Sequence, residues 1–407
     1  MIQDALISVV IPCYNHEKYI RKTVMSVLEQ TYANVEILVA DDCSTDNSAA
    51  ILMAIKDPRL KVFCFEKNRG TVQTLNFLLE QATGAYIATL GSDDYFAPDK
   101  LEKQIEVMRN NPSFGAVFSW AEIVDENEMV YTSGETIALN VFEERNRTQG
   151  EWIRYLFDDG NHFCHSSAMI RREVQDSIGL YAPAYRQLHD FEYWLRLLCK
   201  YPVYVIPEKL TFYRRQNECN SVSATSHVNM MRHFNECALI FRRLFERMDV
   251  SLFQSAFADQ LNSQHYDDEL QFRMDKYRVL RSLNFAGCSV RASAYELFAC
   301  SCENINSSRL RDENYQVALR MFYDDMSKSA VEYPVGESAL QTLFPDLARH
   351  YENVFHSTKE ENIRLASKVA NLEREVAQLK NSLSAVYEST SWKVTEPLRR
   401  LASVIKR

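Results

Sequence analysis

Two adjacent carboxylates, Asp93 and Asp94, follow the apolar run Ala85–Leu90 (AYIATL). Most Asp pairs sit in solvated turns or cap helices. At the end of a buried strand they can do more. A rigid strand end can present carboxylate oxygens to Mg²⁺ or Mn²⁺ with little reorganisation, and such hard ions bridge to substrate phosphates. A cation there would neutralise a departing diphosphate. Asp41-Asp42 repeats the placement after Val35–Ala40 (VEILVA). There a carboxylate can accept from a base N–H or a ribose hydroxyl. Its competing role is a helix cap, but Ser44 and Asp46 are also available for that, so Asp42 has a spare role to fill. Tyr14 offers a flat face for a base to stack on, or it packs in the core.

The elements around these residues alternate. Leu6–Ile11 is a continuous apolar run closed by Pro12, the pattern of a buried strand. His16–Gln30 follows with Ile20, Val24, Val27 and Leu28 at helical spacing. Val35–Ala40 is a second strand, and a helix runs on through Ile55. Lys61–Phe65 is a third strand. Asn68-Arg69-Gly70 makes a turn, Thr71–Gln81 a helix, and Ala85–Leu90 a fourth strand. This βαβα order predicts a mainly parallel sheet, whose ligands lie beyond the carboxyl ends of the strands. Cys13–His16, Asp41–Ser44 and Gly91–Asp94 all fall there. Beyond them the pattern predicts a helix at 98–110, strands at 115–124 and 166–170, and a loop at 132–148. A helix at 190–201 and strands at 203–206 and 210–214 follow. From 226 to 351 the reading is helical.

Composition removes several classes. At 407 residues the chain is long enough for two or three domains. Hydrophobic residues make up 46% and charged residues 25%, an ordinary globular balance. The formal charge of −9 argues against nucleic acid as the partner. Ten cysteines are scattered without a C-x-x-C pair, so zinc is not expected. No run approaches a membrane span. The start lacks the basic region of a signal peptide, so a cytoplasmic protein with reduced thiols is expected. The motifs G-x-G-x-x-G, G-x-x-x-x-G-K-[ST] and G-x-S-x-G are absent.

The span from Ser8 to about Ser223 resembles the family 2 glycosyltransferases of GT-A fold. The resemblance rests on VVIPCYNHEKYI, LVADDCSTDNS, NRGTVQTLNFLLEQATGAYIATLGSDD with Pro98 after it, and HDFEYWLRL, in that order and spacing. It implies an α/β GT-A domain, a Rossmann-like mixed sheet flanked by helices. It also implies a nucleotide-diphosphate sugar donor, most simply a UDP-sugar, a divalent cation (Mn²⁺ or Mg²⁺), and inversion at the anomeric carbon. By position, Pro12 and Tyr14 would line the base site and Asp42 would bond the base. Asp93 would face the ribose or the metal shell, and Asp94 would ligate the metal. Asp190 would be the catalytic base, a role a positioned carboxylate can fill. It could also cap the helix that follows. His189 stands where the family has Glu, Gln216 where it has His, and Gly91-Ser92 where Asp or Ser often precedes the Asp pair. Arg214 or Arg215 would meet a phosphate. His162, Cys164 and His165 lie in the stretch where the family meets its acceptor. A nucleotidyltransferase would need a Gly-rich basic loop after the first strand, which CYNHEKY is not. A non-catalytic glycosyltransferase-like scaffold is the competing reading.

The expected domains are GT-A at 1–225, an α-helical region at 226–355, a coiled coil at 356–388 and a tail at 389–407. Val369, Val376 and Leu383 take a positions; Leu365, Leu372, Leu379 and Val386 take d. Mostly β-branched a with Leu at d favours a parallel dimer, and Lys368–Glu373 and Glu375–Lys380 would pair across it. One helix packed on its own domain is the alternative. The tail STSWKVTEPLRRLASVIKR resembles that of bacterial polysaccharide glycosyltransferases. It could form a basic amphipathic helix against a membrane, a partner enzyme or its own domain. Together these imply synthesis of a surface glycan such as O-antigen or capsule on a glycan or lipid-linked acceptor. The protein would then work at the inner face of the plasma membrane.

Overall fold

The structure is a computed structural model. It describes residues 5–131, 140–215, 227–261 and 269–282, with isolated residues and short pieces as far as 322. The chain divides into two compact units, Met1–Pro334 and Val335–Arg407. The coiled-coil and tail readings, and Gln216, lie outside the described residues.

The first half follows the expected alternation: β1 (Ile7–Cys13), α1 (Ile20–Leu28), β2 (Val35–Asp41), α2 (Ser48–Ala54), β3 (Leu60–Cys64), α3 (Thr71–Gln81) and β4 (Tyr86–Thr89). Then come β5 (Tyr95–Phe96), α4 (Lys100–Asn110), β6 (Ala116–Val124), α5 (Gln149–Asp159), β7 (Met169–Arg171), α6 (Arg172–Ile178), α7 (His189–Leu198) and β8 (Val203–Arg214). Helices α8 (His227–Arg247), α9 (Val250–Phe257) and α10 (Glu269–Ser282) follow. One eight-stranded sheet has the order β3-β2-β1-β4-β7-β6-β8-β5. Strands β3, β2, β1 and β4 are parallel. Strand β7 runs antiparallel to both β4 and β6, and β8 runs parallel to β6. The sheet is therefore mixed, as a GT-A layer requires, and β8 ends on the same edge as β1, β2 and β4.

Alternation along β1 explains its continuous apolar run. Val9 and Ile11 pack with α1 and α4 on one face, while Val10 packs with α3 on the other. With both faces covered, every residue of the strand is selected for burial.

Three local expectations are corrected. Ser166 and Ser167 form a 3₁₀ turn (His165–Ser167) and the strand starts only at Met169. Their hydroxyls bond neighbouring polar groups, which competes with a ladder. The two strands expected at 203–206 and 210–214 are one strand. Its pairing with β6 shifts register between Ile206 and Lys209, beside Pro207, which has no N–H to give. The third correction concerns the helical stretch from 226, which a short hairpin (Asn284–Phe285 with Cys288–Ser289) interrupts.

Helices α8 and α9, after the boundary expected at 225/226, pack against the elements before it. Phe157 of α5 meets Phe241 of α8 and Phe257 of α9 at ring distances of 5.0 and 5.2 Å. One hydrophobic cluster runs from Val10 and Leu38 through Trp194 to Phe253 and Leu280.

Candidate active site

The end of β4 delivers Asp93 and Asp94 into a close-packed turn. Asp94 is buried, its N–H bonded to the Gly91 carbonyl at 3.1 Å. One carboxylate oxygen accepts from the Arg214 backbone N–H at 2.8 Å, and the other accepts from the Ser166 hydroxyl. Thr23 of α1 places its hydroxyl 2.7 Å from the Asp94 carbonyl and 2.9 Å from that of Ser92. Gly91 is required here: a Cβ would stand 2.9 Å from an Asp94 carboxylate oxygen and 3.2 Å from one of Asp93. Burial, and then the Asp93 charge, push the Asp94 carboxyl well above the usual carboxylate range.

These two residues offer only hard oxygen donors. Among the described residues no three His, Cys, Asp or Glu side chains form a metal cage. A pair of carboxylates suits Mg²⁺ or Mn²⁺, which keep waters and complete their shell with phosphate oxygens; a cation would have to share the Asp94 oxygens with Ser166 and the Arg214 N–H. The pair does not suit a structural zinc. In the HFCHSS stretch the histidines are engaged separately. His162 lies 3.2 Å from Glu144, and His165 lies 3.0 Å from the Tyr181 hydroxyl. Burial, and then His189, hold the His165 imidazole down to about 3, so it stays neutral.

The residues expected to line a base site lie at the ends of β1 and β2. Tyr14 is 44% exposed, which removes the core-packing alternative; Pro12 is half-buried. Asn15 has φ 55° and Cys43 φ 64°, so both strands turn sharply as they leave the sheet. The two turns are tied together: Asn15 N–H bonds Ser44 Oγ at 2.9 Å and Thr45 N–H bonds Asn15 Oδ1 at 2.7 Å. Asp46 accepts from the Ser48 and Glu17 N–H groups, both at 2.9 Å, and so ties the start of α2, whose N-cap is Asn47, to the loop before α1.

The spare role assigned to Asp42 is already filled. Its oxygens accept from the N–H groups of Arg69 and Gly70 at 2.7 and 2.8 Å, holding the NRG turn. Gly70, at φ 85°, lets that turn form. A base would have to share this carboxylate. Arg214 is likewise committed. Its Nε donates to the Asp93 carbonyl at 2.9 Å and its Nη1 to the carbonyls of Asp125 and Glu126 at 2.9 and 3.1 Å. Nη2 lies 3.4 Å from Glu128, and the Tyr19 ring packs 4.5 Å from the guanidinium. Arg214 locks the end of β8 onto the Asp93 turn, so a phosphate would have to compete with those carbonyls.

Asp190 is the second residue of α7. It does not cap the helix: Leu188 is the N-cap, with no side-chain bond. One Asp190 oxygen accepts from Asn161 Nδ2 at 2.9 Å and the other from the Phe191 N–H at 2.8 Å. Burial raises its pKa. The loop carrying Asn161 is seated by aromatic packing, with Phe163 stacked on Phe118 at 4.2 Å and Phe118 edge-on to Trp194 of α7 at 4.9 Å.

Sequence reasoning passed over Tyr213, the residue before Arg214 on β8. Burial, and then the charges of Asp94, Asp93, Cys164 and Asp190, push its phenol well up. One short segment reaches both carboxylates: Asn161 bonds Asp190, and Ser166, five residues on, bonds Asp94. Ser166 and Asn161 were also missed as carboxylate partners. A serine or asparagine in a loop carries no pattern that marks what it will meet.

Residues 8–179 match the model described as glycosyl transferase family 2. Over 222 residues the chain is 34% identical to TuaG of Bacillus subtilis (strain 168), a glycosyltransferase named for teichuronic acid biosynthesis, covering 54% of this chain and 82% of that one. Two Escherichia coli proteins, WfaP and WfgD, are both named UDP-Glc:alpha-D-GlcNAc-diphosphoundecaprenol beta-1,3-glucosyltransferase. WfaP is 33% identical over 48% of this chain and 71% of its own length. WfgD is 41% identical over 32% of this chain, and the match spans about half, 51%, of its length. The aligned family segment carries the strand-end carboxylates described above, and TuaG is matched over most of its length. The chain belongs to glycosyl transferase family 2.

Proposed function

We propose that the protein is an inverting glycosyltransferase that moves a sugar from a nucleotide-diphosphate sugar to a hydroxyl of a glycan or lipid-linked acceptor in bacterial surface polysaccharide synthesis. The observation that carries this reading is that one segment, 161–166, bonds both Asp190 and Asp94, through Asn161 and Ser166. The names of WfaP and WfgD, with a UDP-glucose donor and a diphosphoundecaprenol-linked acceptor, support a UDP-sugar and a lipid-linked acceptor here.

In the reaction, Asp190 takes the proton of the acceptor hydroxyl as the oxygen attacks the anomeric carbon from the face opposite the leaving group. The new C–O bond forms as the bond to the diphosphate breaks, and the nucleoside diphosphate leaves with the electron pair. Asn161 holds Asp190 in orientation for that transfer. A raised pKa makes the Asp190 carboxylate a stronger base than an exposed aspartate. Asp94, with Asp93 beside it, would hold Mg²⁺ or Mn²⁺, which when bound neutralises charge on the diphosphate. Tyr14 and Pro12 line the base site at the end of β1, with Asp42 at the end of β2. Arg214 acts at the nucleotide by fixing the Asp93 turn.

No described helix is long and apolar enough to cross a membrane. A homodimer through residues 356–388, and a membrane or partner-enzyme contact through 389–407 at the inner face of the plasma membrane, complete the proposal. The test is release of nucleoside diphosphate from a panel of nucleotide sugars, with Mn²⁺ and a lipid-diphosphate acceptor present. Wild type should turn over at least one donor, and Asp190→Asn and Asp94→Ala should not. Equal background rates in all three proteins would refute the reading.

A further inference from the structure

The helical segment after β8 has no chemistry of its own in the sequence, yet it places one buried carboxylate against the chain just ahead of Asp190. Glu236, in the middle of α8, is 5% exposed. One of its oxygens accepts from the Arg186 N–H at 2.9 Å and lies 3.3 Å from the Gln187 nitrogen. The other accepts from Gln187 at 3.0 Å and from Leu188 at 2.7 Å. Three consecutive amides thus face one carboxylate, an arrangement that binds anions strongly, and charge-assisted bonds of this kind are short and directional. Leu188 is the N-cap of α7, and Asp190 is two residues on.

We propose that Glu236 is a positioning residue for Asp190: by gathering the amides of 186–188 it sets where α7 starts, and so where the base stands. The proposal rests on the reading of Asp190 as the base. Asp190 is then held directly at its carboxylate by Asn161 and indirectly by Glu236, through the amides that precede α7. Burying Glu236 is costly unless its oxygens are bonded, and the three amides meet that cost. Their bonds are lost together if the loop moves, so the loop has one favoured placement. A second contact between the same helices supplies a control. Arg247 of α8 lies 2.9 Å from Glu192, in the body of α7, and does not touch 186–188. It joins α8 to α7 without addressing the start of α7.

The full-length protein is assayed for kcat, donor KM, UDP affinity by calorimetry and Tm, as wild type, Glu236→Gln, Glu236→Asp, Arg247→Met and Asp190→Asn. Displacing a base by a fraction of an ångström to an ångström costs about ten- to a hundredfold in rate. Glu236→Gln should therefore lose about that much kcat while donor KM and UDP affinity stay within about twofold of wild type. Glu236→Asp, which keeps the charge, should recover part of the loss. Arg247→Met should lower Tm at least as far as Glu236→Gln yet keep kcat within about twofold. If Glu236→Gln does not fold, Glu236→Asp is read by the same measurements against Arg247→Met. Wild-type kcat in the Glu236 variants overturns the proposal. So does a loss of kcat in Arg247→Met as large as theirs, which would make Glu236 a packing residue only. Full activity in Asp190→Asn instead overturns the underlying assignment of the base, a result distinct from either.

Discussion

Glu36 and Asp94 are buried carboxylates at opposite edges of one sheet, and their surroundings differ sharply. Glu36, near the start of β2, accepts from the Ser8 hydroxyl at 2.6 Å, Lys61 Nζ at 2.9 Å, and the Thr83 N–H and hydroxyl at 2.7 and 2.8 Å. Burial opposes its ionisation, but these donors prevail and bring its pKa down to about 2. Asp94, after β4, has two donors and a second carboxylate beside it, and its pKa goes well up. The results are opposite because Asp94 is the more deeply buried, has fewer donors and has a like charge beside it, and all three act against its ionised form. A carboxylate fully bonded by its own chain is a structural part. One left short of positive partners, beside another acid, is poised for a ligand that brings positive charge.

The largest test of this contrast is at Asp190, the base proposed above. Asp190→Asn should cut transfer by about 10²–10⁴-fold, the usual worth of a general base, with UDP affinity by calorimetry unchanged. Asp94→Asn comes next, with an expected loss of about 10²–10³-fold, as for removal of one electrostatic stabiliser of a developing charge. Its stability should move the other way. A carboxyl whose pKa is raised on folding binds protons more readily in the native state, so stability falls as pH rises between the unfolded and folded values. An amide avoids that loss, and Tm at neutral pH without divalent ions should be equal or higher. A clear fall in Tm would place Asp94 with Glu36 and break the comparison.

Glu36→Gln should do the reverse, lowering stability with activity within about twofold. The shift from 4.5 to about 2 corresponds to about 3 kcal/mol, discounted to roughly 2 kcal/mol because the Lys61 side chain is 53% exposed. The sign follows from a depressed folded pKa. This contribution is complete above the unfolded value and disappears as pH falls toward about 2. Urea midpoints across that window should therefore fall for wild type more steeply than for Glu36→Gln. The smallest effect is on the rate profile. With the Asp190 pKa raised, the acid limb of kcat/KM should lie above the ordinary aspartate value of about 3.9. A limb at or below that value would return Asp190 to the fully bonded class.

Much of this molecule was legible in its residues taken in order. Strands β1, β2 and β4 show as mostly apolar runs, interrupted by Ser8 and Glu36, because helices cover both faces of the sheet, and each run ends where its polar cluster begins. That placed Asp42, Asp93 and Asp94 on one edge, and the opening of α7 marked Asp190. The strand order β4-β7-β6-β8-β5 was not legible, because a short antiparallel strand such as Met169–Arg171 leaves no periodic trace. Nor could order along the chain show which partners each site residue would meet. Asp42 is bonded by Arg69 and Gly70, and Arg214 by the carbonyls of Asp93, Asp125 and Glu126.

The sequence by itself determined the alternating α/β layer and the kind of chemistry its edge could support, since both depend on neighbours a few residues apart. Tertiary structure alone decided which carboxylates are satisfied and which are strained, and that the helices after β8 share the core with the sheet. The reason is that a hydrogen bond between residues 48 positions apart, such as Glu236 to Leu188, or 120 apart, such as Arg214 to Asp94, imposes no period on the chain. It exists only once the packing has closed.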